Sequence, residues 1–367
     1  MSKTMSKKIA INAIHTKTGG GLVFLQNFIE EIGKVGSGNY HLFVTGTIAK
    51  KFAMPKNVKL VLVHPPKNMF LMHAWEQLFF ALKLRFSGFK VVLCNANYVP
   101  LLAPNPMPII HTNVAVGATE KRFSMRVYWW VLEVLTKLSV KRASKVFTVA
   151  KHIIPRYVEA SSRYKVQVAY PAVANIPAST AAREMDTIMA VGDIYLQKDY
   201  ITMIKAFEYI VAKNPSMRLW IIGREVDKAV AAELKAYIQE KDLKKSIIFS
   251  GYVPHEQLLQ LLQRATLYLN TSTVECFNMP VLEALACGVP TVVFDHDFQQ
   301  EVAGDGAVYV KFEGDDKQRA IALADAVNDL LEDTGRCAQI AARGKARAAS
   351  FSWAKTTDVI LEALGKV

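Results

Sequence analysis

The sequence predicts an open α/β architecture with two parallel-sheet domains. Three observations carry that expectation. Short apolar runs alternate with helical patterns along the whole chain, the sequence form of strands covered on both faces by crossover helices. The length of 367 residues suits two domains, and a 51% hydrophobic composition can fill two cores. Residues 171–187 are rich in Pro, Ala, Ser and Thr, show no periodicity, and read as a linker. The expected domains are therefore 1–175 and 176–350, with the last helical pattern, 351–367, crossing back to the first.

In the first domain, runs at 8–14, 41–45, 58–63, 90–95, 107–112 and 145–149 read as strands. Helical patterns lie near 20–35, 70–86 and 120–142. Gly19, Gly20 and Gly21 follow the first strand and open a helix. They do not fit G-x-G-x-x-G, and no acidic residue stands about 20 positions on, which counts against a dinucleotide site. His111 ends the strand 107–112, at the strand end where open α/β sheets bind ligands.

In the second domain, strands are expected at 187–193, 217–223, 246–251, 266–270, 289–294 and 307–311. Helices are expected near 199–213, 228–240, 255–263, 279–287, 317–333 and 336–349.

Composition narrows the class. Residues 1–175 hold 24 Lys and Arg against 6 Glu and no Asp, whereas the rest of the chain is slightly acidic. That asymmetry points to a polyanionic partner for the first half. Basic residues stand beside aromatics at 74–90, with Trp75, Leu78, Phe79, Leu82 and Phe86 near Lys83, Arg85 and Lys90. The same occurs at 120–145, with Trp129 and Trp130 among Lys121, Arg122, Arg126, Lys137, Lys141 and Arg142. Such stretches suit an anionic membrane surface, although most of the aromatics are expected to pack onto the sheet. Four cysteines without a C-x-x-C pair argue for reduced thiols in the cytoplasm and against a zinc site. The amino terminus reads as a first strand rather than a signal peptide, and no apolar run approaches the ~20 residues a spanning helix needs. No nucleic-acid-binding module is recognisable.

The stretch with most chemistry is 265–295. TLYLN reads as a strand, TSTVECFN as a loop, MPVLEALAC as a helix and VPTVVF as the next strand. Pro280 suits the first helical turn, Gly288 the left-handed closing residue, and Pro290 blocks continuation. A helix N-terminus above strand ends attracts anions through its unpaired N–H groups and macrodipole. Glu275 and Glu283, eight apart, flank it. Carboxylates bind sugar and ribose hydroxyls, so an anion with hydroxylated groups on both sides describes a nucleotide-sugar.

ECFNMPVLEALACGVP resembles the E-x7-E signature of family 4 retaining glycosyltransferases, which share the two-domain GT-B fold of two Rossmann-like, doubly wound sheets facing across a cleft. Cys276 and Asn278 replace two usual glycines, and Asn is expected to tolerate the positive φ such a turn uses. The resemblance implies that Glu275 orients the sugar, that Glu283 binds the ribose, and that Cys276, Phe277, Asn278 and Met279 line the donor. It implies that the Gly20–Gly21 loop approaches the donor phosphates and that His111 faces the transferred sugar. In GDIYLQKDY, 192–200, Lys198 matches a phosphate-neutralising lysine, but Asp193 stands where arginine is usual. Arg224, after WIIG, is the candidate substitute, and Tyr252 falls where the family holds the nucleotide base.

The same resemblance implies a metal-independent reaction without cofactor, the nucleotide-sugar being a substrate. Asp295-His296-Asp297 is formally a metal-binding D-x-D but lies inside a block matched to a metal-independent family. The expected function is hexose transfer, GDP-mannose-type or UDP-sugar, to a lipid-linked glycan of bacterial surface polysaccharide or lipopolysaccharide, at the inner face of the cell membrane. A GT-B sugar-nucleotide epimerase or hydrolase and a non-catalytic polyanion binder are the alternatives.

Overall fold

A computed structural model describes residues 7–17, 19–118, 123–174, 176 and 186–365. Lys121, Arg122 and most of the stretch 171–187 lie outside these residues. The chain divides into two compact units. One comprises Met1–Pro171 and Ser352–Val367, the other Ala172–Phe351.

The first unit carries a seven-stranded sheet. Its strands are β1 Lys8–Asn12, β2 Asn39–Thr45, β3 Val58–Val63, β4 Val91–Cys94, β5 Pro106–Ile110, β6 Val146–Thr148 and β7 Val166–Val168. The second unit carries six: β8 Thr187–Val191, β9 Arg218–Ile222, β10 Ile247–Gly251, β11 Leu267–Asn270, β12 Thr291–Phe294 and β13 Val308–Val310. Strand orders are β3-β2-β1-β4-β5-β6-β7 and β10-β9-β8-β11-β12-β13. Every pairing among the described residues is parallel. Two sheets of the same winding give the GT-B fold.

The central strands β4, β5, β8, β11 and β12 are buried along their whole length, which is why they read as unbroken apolar runs. In the second unit, Ile188, Ala190, Leu219, Ile221, Leu267, Leu269, Val292 and Phe294 form the floor of one core, with Phe207, Leu234 and Leu323 from the helices packed on that face. Each sheet reverses its winding beside its first strand. In the second unit that switch falls between β8 and β11, so the loops leaving these two strands border the ligand-binding crevice.

The last helix, Trp353–Gly365, belongs to the first unit. Trp353 meets Phe24 edge-on at 5.4 Å between ring centroids, and the Thr356 hydroxyl donates to the Tyr170 carbonyl.

Three expectations are corrected here. β7 was not anticipated, because three half-buried residues carry too short a pattern. Of the aromatic stripe of 74–90, only Trp75 packs against the core, and the rest does not pack onto the sheet. Phe79 and Phe86 are 69% and 82% exposed, and Leu78 and Leu82 also face outward. The segment holds a second stripe, Phe80, Ala81 and Leu84, and that one is buried. A π-helical turn, Glu76–Phe80, carries Leu78 and Phe79 of the outer stripe and Phe80 of the buried one, and the N–H of Ala81, just after it, reaches the Glu76 carbonyl. One extra residue per turn shifts the helical phase, which simple i, i+3, i+4 counting misses. Phe123 and Trp130 on the Phe123–Arg142 helix are likewise exposed.

The third correction concerns the loop before the Met279–Ala286 helix. Asn278 has φ −83°, so the replaced glycine is not a left-handed position. The left-handed residue is Gly288, φ +68°. Its N–H bonds the Leu285 carbonyl at 2.9 Å and Val289 N–H bonds the Ala284 carbonyl at 3.0 Å, closing the helix.

Candidate active site

The site in the second unit is assembled from two loops at the switch point. The loop after β8 passes through Gly192 and a 3-10 turn, Leu196–Lys198, to the left-handed Asp199, which caps the Tyr200–Lys213 helix by accepting from Thr202. The loop after β11 is tied to it. Thr271 Oγ1 donates to the Lys198 carbonyl at 2.9 Å, and Thr273 N–H donates to the Gln197 carbonyl at 2.8 Å. These bonds fix the backbone on both sides of the crevice, and Lys198 Nζ meets Glu275 Oε1 at 2.5 Å. Both side chains are mostly buried.

A buried amide cluster supports the second loop. Asn270 Oδ1 accepts from Asn278 Nδ2 at 2.9 Å, from Gln299 Nε2 at 2.8 Å and from Ser272 N–H at 3.2 Å. Asn278 is fully buried and serves as a strut, which explains why it can replace a glycine without a left-handed turn. Ser272 Oγ and Asn278 Oδ1 find no hydrogen-bond partner among the described residues. Cys276 and Phe277 are also buried, and burial pushes the Cys276 thiol well above its usual range.

The expectation of unpaired first-turn donors is not met. Met279 N–H bonds the Phe277 carbonyl at 3.0 Å, Val281 N–H bonds the Asn278 carbonyl at 3.1 Å, and Pro280 has no N–H. The helix tip still presents its dipole, but side-chain cations must supply most of the hydrogen bonds to an anion here. Glu283 lies one turn into the helix and is buried. Burial pushes its carboxyl up to about 8, so it is protonated at neutral pH and offers a hydroxyl donor as well as an acceptor. His255 Nδ1 approaches it at 3.6 Å.

Arg224 follows β9 and pairs with Asp193, with Nη2 2.5 Å from Oδ2. Tyr252, beyond β10, is exposed. A Cβ at Gly192 would lie 3.1 Å from Lys198 Nζ, and both Lys198 and Arg224 act electrostatically on Asp193. Lys198 and Asp193 thus lie beside Gly192, each paired with a charge from another loop, Glu275 and Arg224.

The remaining candidates belong to the first unit. Gly20 and Gly21 form the first turn of the Gly19–Val35 helix, and Gly21 O accepts from Asn95 Nδ2 at 3.0 Å. His111 Nε2 lies 2.6 Å from Asn95 Oδ1, and its ring meets Phe24 edge-on. Burial drives its pKa down to about 3, so the imidazole is uncharged.

Sequence reasoning missed one cluster in this unit. Tyr98 Oη stands 2.5 Å from His15 Nε2, 2.6 Å from His73 Nδ1 and 3.0 Å from Glu76 Oε2. Asn12 Nδ2 donates to Glu76 Oε1 at 2.6 Å. Among the described residues, His15, His73 and Glu76 are the one group of three such side chains within metal-ligating reach, and the Tyr98 hydroxyl already stands among their ligand atoms. The D-x-D at 295–297 gathers no such group; Asp295 accepts from Gln300. The signal for the cluster was present as His73-x-x-Glu76, but its partners come from two other strand ends.

Residues 174–347 match the model of glycosyl transferases group 1. The matched segment is a little under half of the chain. Among similar proteins, O-antigen chain mannosyltransferase B of Escherichia coli is 33% identical over 117 residues, 32% of this chain and 29% of that protein. O-antigen chain mannosyltransferase RfbU of Salmonella typhimurium is 27% identical over 230 residues, 62% of each chain. The alignments thus span less than two thirds of either relative. Sucrose-phosphate synthase from Thermosynechococcus elongatus shares the fold of this chain with a TM-score of 0.76, at 16% identity and 98% coverage of both chains.

Proposed function

We propose that the protein is a retaining, metal-independent hexosyltransferase. It moves a sugar from a nucleotide-diphosphate donor to a hydroxyl of a lipid-linked glycan in bacterial surface polysaccharide or lipopolysaccharide synthesis. The observation that carries this reading is the Lys198–Glu275 pair at the switch point of the second sheet. Breaking a glycosyl–phosphate bond builds positive charge on the sugar and negative charge on the departing diphosphate. An ammonium and a carboxylate held side by side match that separation. Lys198 bonds the leaving phosphate, and Glu275 takes the sugar hydroxyls and faces the cationic ring. Glu283, protonated, exchanges hydrogen bonds with the ribose. Cys276, Phe277 and Met279 line the donor, Tyr252 takes the base, and Arg224 supplies a second cation.

The first unit binds the acceptor in this reading. Its Gly20–Gly21 turn approaches the donor phosphates, and the uncharged His111 hydrogen-bonds the transferred sugar. Attack on the face from which the diphosphate leaves gives retention. The mannosyltransferase relatives favour a donor of GDP-mannose type, with UDP-sugars as the other class. The exposed apolar side chains of Met69–Phe86, beside Lys83 and Arg85, seat this unit on an anionic membrane surface. Among the described residues no helix is long and apolar enough to cross a membrane, and we assign the protein to the inner face of the cell membrane as a peripheral enzyme.

The test is a panel of GDP-, UDP- and dTDP-sugars offered to the full chain, with and without a polyprenyl-diphosphate-linked saccharide or lipopolysaccharide acceptor. Acceptor-dependent donor consumption, with an unchanged anomeric configuration by NMR, is expected for one donor. Consumption that ignores the acceptor would instead identify an epimerase or hydrolase. A panel that neither binds nor reacts would remove the donor assignment.

A further inference from the structure

Arg224 is not a free surface arginine. Asp193 holds it along one edge: Oδ1 accepts from Arg224 Nε at 3.1 Å, and Oδ2 accepts from Nε at 3.2 Å and from Nη2 at 2.5 Å. Asp193 Oδ1 also accepts from the Arg224 backbone N–H at 2.9 Å. That last bond belongs to a ladder continuing past the ends of β8 and β9. Gly192 N–H bonds Ile222 O at 2.9 Å, Ile194 N–H bonds Arg224 O at 2.8 Å, and Asp227 N–H bonds Ile194 O at 3.0 Å. The two loops run so close that a Cβ on Gly223 would lie 2.0 Å from the Gly192 carbonyl oxygen. Asp193 therefore fills one rung of this ladder with its side chain, and the same carboxylate clamps the guanidinium.

The clamp is directional. An arginine has five N–H donors in a planar fork. Asp193 occupies the edge formed by Nε and Nη2, while Nη1 meets no acceptor among the described residues, and half of the side chain is exposed. Lys198 Nζ also lies near this loop, 3.1 Å from where a Cβ on Gly192 would stand. We infer that Asp193 is a positioning residue that fixes the Arg224 guanidinium so that its outer edge meets the donor diphosphate opposite Lys198. A phosphate cation is thereby delivered from the β9 loop, where the E-x7-E family pattern would place one on the β8 loop itself. This rests on the proposed donor site in the second unit.

Two physical effects oppose each other when the Asp193 charge is removed. Loss of the clamp frees a long side chain that phosphate must then immobilise, which weakens binding roughly threefold to tenfold. Loss of a nearby negative charge strengthens anion binding through space, but the screened exposure of this loop keeps that effect smaller. The sign of the change therefore separates a positioning role from mere neutralisation.

The experiment is calorimetric titration of the full chain with UDP, GDP and inorganic pyrophosphate. The variants are Asp193→Asn, Asp193→Ala and Arg224→Ala. Asp193→Asn keeps an oxygen for the Arg224 backbone N–H, so its unfolding midpoint should stay close to that of the parent chain. Asp193→Asn is expected to weaken the better-bound diphosphate about threefold to tenfold, and Arg224→Ala about tenfold or more. Binding of the corresponding nucleoside should be unchanged in both. If Arg224→Ala weakens diphosphate binding while Asp193→Asn leaves it unchanged or tightens it, the positioning role is overturned and the donor site stands. If Arg224→Ala has no effect, or the parent chain binds none of the three probes, the assignment of Arg224 to the donor falls, and this inference falls with it.

Discussion

Lys198 Nζ and Glu275 Oε1 are 2.5 Å apart although 77 positions separate them in the chain. The contact joins the loops that leave β8 and β11, the two strands at which the second sheet reverses its winding. In the proposed reaction Lys198→Ala removes the donor aimed at the leaving phosphate, together with the Lys198–Glu275 contact. Turnover should fall by ~10²-fold or more, with a smaller change in KM. Steady-state kinetics with the donor found by the panel checks this, and near-normal turnover would remove Lys198 from the mechanism.

Glu283 gives a pH signature. Its folded pKa of about 8 lies above the ordinary carboxyl value of 4.5. Between those values the folded protein holds a proton that the unfolded chain has lost, so this group makes stability fall as pH rises, with the full penalty reached above about 8. Glu283→Gln removes the titration. The melting temperature of the variant relative to the parent should therefore be higher by several degrees at pH 8.5 than at pH 5. A difference that does not vary with pH would mean that the carboxyl titrates normally.

The outward stripe on Met69–Phe86 makes a separate prediction. Phe79→Ser with Phe86→Ser removes two exposed aromatics, so stability should change by no more than about 0.5 kcal/mol per site. Flotation with vesicles containing anionic lipid should drop severalfold, and neutral vesicles should capture little of either protein. Equal flotation of parent and variant would separate this stripe from the membrane.

Gly223 is required by space rather than by φ. Gly223→Ala would drive a methyl group into the Gly192 carbonyl, 2.0 Å away, and should cost roughly 1–3 kcal/mol in chemical denaturation. Because both loops border the proposed donor site, nucleoside diphosphate affinity should fall with it. A variant as stable as the parent would show that the loops part easily.

The fold was legible because β4, β5, β8, β11 and β12 are buried on both faces and so appear as unbroken apolar runs. The loop and helix carrying Glu275 and Glu283 were legible because Pro280 and Gly288 mark the helix at both ends. What was not legible depends on contacts between distant segments. Asn278 looked like a tolerant turn residue and is a strut bonded to Asn270 and, more weakly, to Gln299. The donors expected at the Met279–Ala286 tip are taken up by a tight backbone turn that no local pattern announces. Tyr98, His15, His73 and Glu76 meet only because three separate segments end at one place, and the π turn that starts at Glu76 leaves no compositional mark.

The return of Trp353–Gly365 to the first unit has a consequence for biosynthesis. Trp353 completes the packing beside Phe24, and Thr356 satisfies the Tyr170 carbonyl. A nascent chain leaving the ribosome can close the contiguous segment 172–351 as soon as it emerges, while the earlier segment waits for residues 352–365 before its surface is sealed. The earlier of the two segments is finished after the later one, and loss of the Trp353–Gly365 helix would damage the unit that lies far from it in the sequence.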